Sequence, residues 1–236
     1  MEESKYRDAE CGIIKQIKEE RLLDIFSKLQ DYMAVRENLI IRPMNAGLVD
    51  LSDAIYDTIG DIALVLYMVL AEKEDTLYST RIRRDQFSAW NRKKEEVMAD
   101  ALQNTRRIAP PRIYHLEDML MGEGREGEDF MDQNSDFSPS MSPVGDCLST
   151  STRINGAIAA FYPGVALRLA SLMGESFYLA FTSVHEAMIH RESLVDPGIL
   201  KEILKETIQE ATEDRDILTY GIFQYNREKG SFCQVT

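Results

Sequence analysis

The sequence predicts an α+β protein: a mixed β-sheet with helices packed on it and a long acidic loop in the middle of the chain. Three observations carry that reading. "IALVLYMVLA" (62–71) is an apolar run without alternation, as expected for a strand buried on both faces. "LYSTRIRR" (77–84) alternates, with Tyr78, Thr80 and Ile82 on one face and Ser79, Arg81 and Arg83 on the other. "DPGILKEILKETI" (196–208) opens on a capping Asp196 and a first-turn Pro197, then repeats apolar residues at helical spacing.

The other elements follow in order. Leu22, Ile25, Phe26, Leu29, Tyr32 and Met33 share one face of a helix expected over 12–34. "NLIIRP" reads as a short strand that Pro43 ends. "AEKEDT" reads as the turn joining the 62–71 strand to the alternating one. Asp85 is the expected N-cap of one helix running to Arg107, stopped by Pro110 and Pro111. "RIYHLEDMLM" is a strand or a short helix. Residues 121–152 hold seven acids and one arginine, a net −6, among Gly, Ser and Pro, and read as a loop or linker. "INGAIAAFY" reads as a strand, and Pro163 opens a helix closed by Gly174. "SFYLAF" is a strand, with "TSVHEAMIH" as its continuation or antiparallel partner. In the 197–211 helix the expected buried stripe is Ile199, Leu200, Ile203, Leu204 and Ile208, with Glu202, Glu206 and Glu210 as an acidic ridge. A hairpin turning at Glu228, Lys229 and Gly230 ends the chain. The expected division is an α/β part over 1–120, the acidic segment 121–152 and a second α/β part over 153–236.

Composition narrows function. The 236 residues are 44% hydrophobic and 28% charged, which is enough apolar content for a packed core. A net charge of −13 disfavours general nucleic-acid binding and adhesion to anionic membranes. Cys11, Cys147 and Cys233 are scattered, as in a reducing compartment. The charged start and an apolar run of ten residues, against the roughly 20 of a membrane span, predict a cytoplasmic protein.

"TSVHEAMIH" (182–190) resembles a zinc-protease motif in its letters only. His185 and His190 are five residues apart, about 140° around a helix and on opposite faces of a strand, so the pair cannot share one metal. No metal and no cofactor is expected. The plainer reading has His185 hydrogen-bonded at a strand start and His190 exposed. Ser183, His185 and Glu186 remain the candidate catalytic group, since a hydroxyl beside a base can act as a nucleophile. No Gly-x-Ser-x-Gly elbow accompanies them. From Arg81 to Arg112, seven arginines and two lysines face four acids, a local +5. Arg81, Arg83 and Arg84 belong to this run, and Arg106, Arg107 and Arg112 are its candidate anion-binding residues. The plainer reading of that run is a solvated face, or one docked on the acidic 121–152 segment.

Three stretches carry a resemblance: "LQNTRRIAPPRIYHLEDML" (102–120), "INGAIAAFYPGVALRLASLMGESFYLAFTSVHEAMI" (154–189) and "YGIFQYNREKG" (220–230). They resemble a bacterial family, seen mainly in Firmicutes, that is defined only as a domain of unknown function. The shared marks are Asn-Thr before Pro-x-x-Ile, a Tyr-Pro-Gly helix start and a Ser-Val-His-Glu strand. The resemblance spans about 15–232 and implies no activity. Family members often begin with an extra N-terminal region, much of which this chain is expected to lack. The functional expectation is a non-catalytic cytoplasmic binding or regulatory protein, acting through a protein partner or a small anionic ligand. The alternative is an enzyme working on an anionic substrate near Ser183, His185 and Glu186.

Overall fold

The computed structural model describes residues 28–73, 76–115 and 126–235, in which helices pack on two antiparallel sheets. The first sheet is built around β3 (Ile62–Lys73). β1 (Leu39–Asn45) pairs along one side of it. β2 (Tyr56–Ile59) and β4 (Thr76–Arg81) pair end to end along the other. The non-alternating run has the expected consequence. Ile62, Leu64, Leu66 and Met68 enter the main core, while Ala63, Val65 and Tyr67 are buried on the opposite face. Pro43 lies inside β1, opposite Leu64, and does not end the strand. β1 is an edge strand, where a residue lacking an N–H is tolerated.

The second sheet has six strands in the order β10-β9-β7-β8-β6-β5. They are β5 (Pro111–Tyr114), β6 (Asp146–Thr150), β7 (Phe177–Ser183), β8 (Glu186–Arg191), β9 (Ile222–Asn226) and β10 (Ser231–Val235). The α+β class holds, with the strands divided between two antiparallel sheets. β6 falls inside the 121–152 segment, and all five of its residues are buried. Phe130 and Phe137 of that segment are buried too. Only Cys147 and Leu148 mark β6 as apolar, too short a signal to stand out from Ser, Pro and acids. "TSVHEAMIH" turns back as the antiparallel partner of β7.

Five helices are described: α1 (Tyr32–Val35), α2 (Arg84–Ala89), α3 (Lys94–Ile108), α4 (Val165–Met173) and α5 (Pro197–Ala211). Residues 12–27 of the first expected helix lie outside the described residues. The helix expected from Asp85 to Arg107 is two helices, broken where Asn91 takes φ 48°. The cap of α2 is Arg83, whose N–H donates to the Gln86 side chain at 2.9 Å, and Asp85 sits in the first turn. Buried Trp90 plugs the break, its Nε1 donating to Leu29 O at 2.7 Å. In α5 the Asp196 carboxylate accepts from Gly198 and Ile199 N–H as expected. Leu200, Leu204 and Ile208 are its buried stripe, at i, i+4 and i+8. Ile199 and Ile203 are 64% and 53% exposed, because β7 and β9 meet only one narrow line of the helix.

"INGAIAAFY" forms a 3₁₀ segment (Gly156–Phe161), not a strand. Its small residues let it sink against β6 and the β7–β8 turn, with Gly156 to Ala160 all buried. Gly156 is where the approach is closest. A Cβ there would lie 2.1 Å from Ser149 Oγ and 2.4 Å from His185 O. The two sheets also meet through Asp61, whose carboxylate accepts from Thr219 Oγ1 at 2.8 Å and from Gln234 Nε2 at 3.2 Å. Gly156→Ala is therefore expected to lower stability by about 1–3 kcal/mol, as overpacking does. Thermal melting would read this as a loss of roughly 2–4 °C per kcal/mol, and an unchanged Tm would mean that the backbone there yields freely.

Candidate functional site

The β7–β8 turn gathers Ser183, His185 and Glu186 within hydrogen-bonding range. Ser183 Oγ donates to Glu186 Oε1 at 3.4 Å and accepts from the His185 backbone N–H at 3.0 Å. Thr182 Oγ1 donates to the same Glu186 oxygen at 3.0 Å. The His185 ring is engaged elsewhere. Its Nδ1 accepts from Asn155 N–H at 3.1 Å, which puts the ring proton on Nε2, 3.7 Å from Asp216 Oδ1. Its carbonyl accepts from Ser149 Oγ at 2.7 Å. The serine hydroxyl thus faces a carboxylate and the backbone, and the imidazole ties the turn to the start of the 3₁₀ segment. These are the bonds of a braced turn.

His190 is buried, not exposed as expected. The 143–145 segment lies against its ring, where a Cβ on Gly145 would come within 3.1 Å of Nδ1. The ring Nδ1 meets Pro143 O at 3.0 Å. Burial holds its pKa below the ordinary 6.5, against the opposing pull of Pro143 O and Asp146.

Arg106, Arg107 and Arg112 do converge. They line one open cleft of about 380 Å³, together with Asp129 and Met131. Each already has a partner. Arg106 donates to Pro163 O at 2.9 Å, Arg107 lies 3.9 Å from Glu37, and Arg112 pairs with Asp129 at 3.1 Å. The last contact joins the basic run to the acidic segment. Arg81 ends β4 and donates to Asp50 O, Arg83 caps α2 beside Asp53, and Arg84 opens α2 in another cleft that Lys94 also lines.

A different arginine stands apart. Arg42 lies on β1 opposite Val65, on the sheet face that carries Ile40 and Tyr67. Its guanidinium stacks over the Tyr67 ring, 5.0 Å from the centroid. Its Nε is buried without a hydrogen-bond partner, and among the described residues no carboxylate pairs with it. Burial lowers its pKa from the ordinary arginine value. Among the described residues Ser79 Oγ is the other such unpartnered buried side-chain atom. Ser79 pairs with Val69, and Arg81 with Tyr67, so Ser79 shares the face of Arg42. Arg42 lines a cavity of about 220 Å³ between β1, β4, the end of α3 and the 152–158 segment. The visible signal in the sequence is a charge inside "LIIRP", an otherwise apolar strand.

Fold and site together define an α+β protein with two antiparallel sheets and a half-buried arginine bordering a largely apolar cavity. The chain belongs to a family of unknown function, DUF5688, whose model matches residues 3–227. No curated protein and no solved structure is significantly similar to it. Among the described residues no helix is long and apolar enough to cross a membrane, and no three His, Cys, Asp or Glu side chains are placed to hold a metal.

His190 makes stability depend on pH with a definite sign. Its folded pKa is below the unfolded value, so between the two the unfolded chain binds more protons. The stability tied to a neutral His190 is present above about pH 6.5 and is lost as pH falls toward the folded pKa. Denaturant unfolding at pH 7.5 and pH 5 should show a smaller acid loss for His190→Gln than for the unaltered protein. Equal losses would remove His190 as a source of the effect.

Proposed function

We propose that this protein is a non-catalytic cytoplasmic binding protein that takes a small anionic ligand at Arg42. The observation that carries the reading is a half-buried arginine whose Nε is buried without a hydrogen-bond partner and whose charge has no counter-ion among the described residues. A buried donor left without an acceptor costs about 1–3 kcal/mol, and proteins pair such groups almost always. Arginine cannot escape by losing its proton. The guanidinium fork suits a carboxylate or phosphate oxygen pair, and the cavity beside it leaves room for one. The arginines that converge in the other cleft are already matched by protein groups, which makes them weaker candidates. An enzyme centred on Ser183, His185 and Glu186 would need the Ser183 hydroxyl to reach a base. In that turn the imidazole is held by Asn155 and Asp216.

The test is a thermal-shift screen at low salt with small carboxylates, inorganic phosphate and nucleotides. A ligand that binds only the folded chain raises Tm by mass action, by about 2.7 kcal/mol of stability at a hundredfold excess over Kd. The shift should persist in Ser183→Ala and vanish in Arg42→Met. Without ligand, Arg42→Met should itself be more stable than the unaltered protein by about 1–3 kcal/mol, since it removes an unpaired buried donor. A shift that needs Ser183 and not Arg42 would favour the enzyme reading.

A further inference from the structure

We infer that the ligand of the Arg42 cavity is a short aliphatic monocarboxylate. This inference rests on the binding reading above and specifies its ligand. Charge is the first argument. Among the described lining residues Arg42 is the only cation and none is acidic, and Arg81, over the same Tyr67 ring at 6.0 Å, already donates to Asp50 O. The end of α3 borders it through Thr105, Ile108 and Ala109. A phosphate monoester, with close to two charges at neutral pH, is matched less well than a carboxylate with one.

The walls are the second argument. Ile40, Leu77, Ile108, Ile154 and Ile158 line the cavity around the arginine. Ile108 and Ile154 are 38% and 56% exposed, and both belong to this cavity. Apolar side chains left open to water around a single cation match a ligand with an apolar tail and a charged head. Size is the third. A volume of about 220 Å³ is below the ~300 Å³ at which ordinary small-molecule sites begin. That suits a carboxylate with a short tail better than a long chain.

Isothermal titration of the full chain with acetate, butanoate, hexanoate, dodecanoate, hexanol and inorganic phosphate tests this. Affinity should rise about fourfold per added methylene from acetate to hexanoate, the increment of a buried methylene group. It should fall again at dodecanoate, which outgrows the cavity. Hexanol should bind at least about tenfold more weakly than hexanoate, and Arg42→Met should weaken hexanoate by at least about tenfold. Ile154→Ser, at an exposed position that leaves the core intact, should weaken hexanoate severalfold. Phosphate binding tighter than hexanoate and lost in Arg42→Met would overturn the carboxylate inference and leave the anion-binding reading standing. Hexanoate binding unchanged in both variants would overturn the inference by placing the ligand elsewhere. Silence from every carboxylate and from phosphate would overturn the inference and the binding reading together.

Discussion

Burial of β3 on both faces organises the molecule. Each fully buried aliphatic side chain in it contributes about 1.5–3 kcal/mol, provided something covers it. Ile62, Leu64, Leu66 and Met68 are covered from the main core, which includes Phe177, Leu179 and Phe181 of the second sheet. Ala63, Val65 and Tyr67 need cover on the opposite side, supplied in part by Ile40, Ala54 and Leu51. That second face also carries Arg42, placed there by strand alternation two residues from Ile40. A strand with one solvated face would leave this arginine in water and without consequence.

The two sheets are joined by polar contacts at their edges as well as by the shared core. Asp61, in the turn before β3, receives the Thr219 hydroxyl and the Gln234 amide. Tyr162 donates to Ala109 O at 3.0 Å, fixing the end of α3 to the 3₁₀ segment. Thr105 Oγ1 accepts from Ile41 N–H at 2.8 Å, fixing α3 to β1. The cavity that Arg42 lines lies where β1, the end of α3 and the start of the 3₁₀ segment meet.

Polar groups are used in two contrasting ways. Around the β7–β8 turn each hydroxyl, ring nitrogen and carboxylate has a protein partner, and the result is a braced bend. Around Tyr67 the guanidinium Nε and the Ser79 hydroxyl have none. Buried polar groups are almost always satisfied, so unmatched ones carry more functional information than a crowded cluster does. Letter patterns favour the turn because Ser, His and Glu are adjacent in the chain. The satisfied or unsatisfied state of a group is a property of its surroundings.

Local chemistry determined much of the architecture from the sequence alone. The doubly buried run 62–71, the Asp196–Pro197 helix start, the closing hairpin at Gly230 and the α+β class follow from periodicity and capping, which act over a few residues. Convergence of Arg106, Arg107 and Arg112 was also legible, since two are adjacent and the third follows within six residues. Tertiary structure alone decided the rest. β6 exists because its neighbours β5 and β8 complete its hydrogen bonds and bury it, whatever its weak apolar content. "INGAIAAFY" becomes a 3₁₀ segment because Gly156 must fit against Ser149 and His185. His190 is buried because the 143–145 segment, distant in sequence, packs against it. Arg42 acquires significance only from what does not reach it, since charge pairing is settled by distant parts of the chain and periodicity carries no record of them.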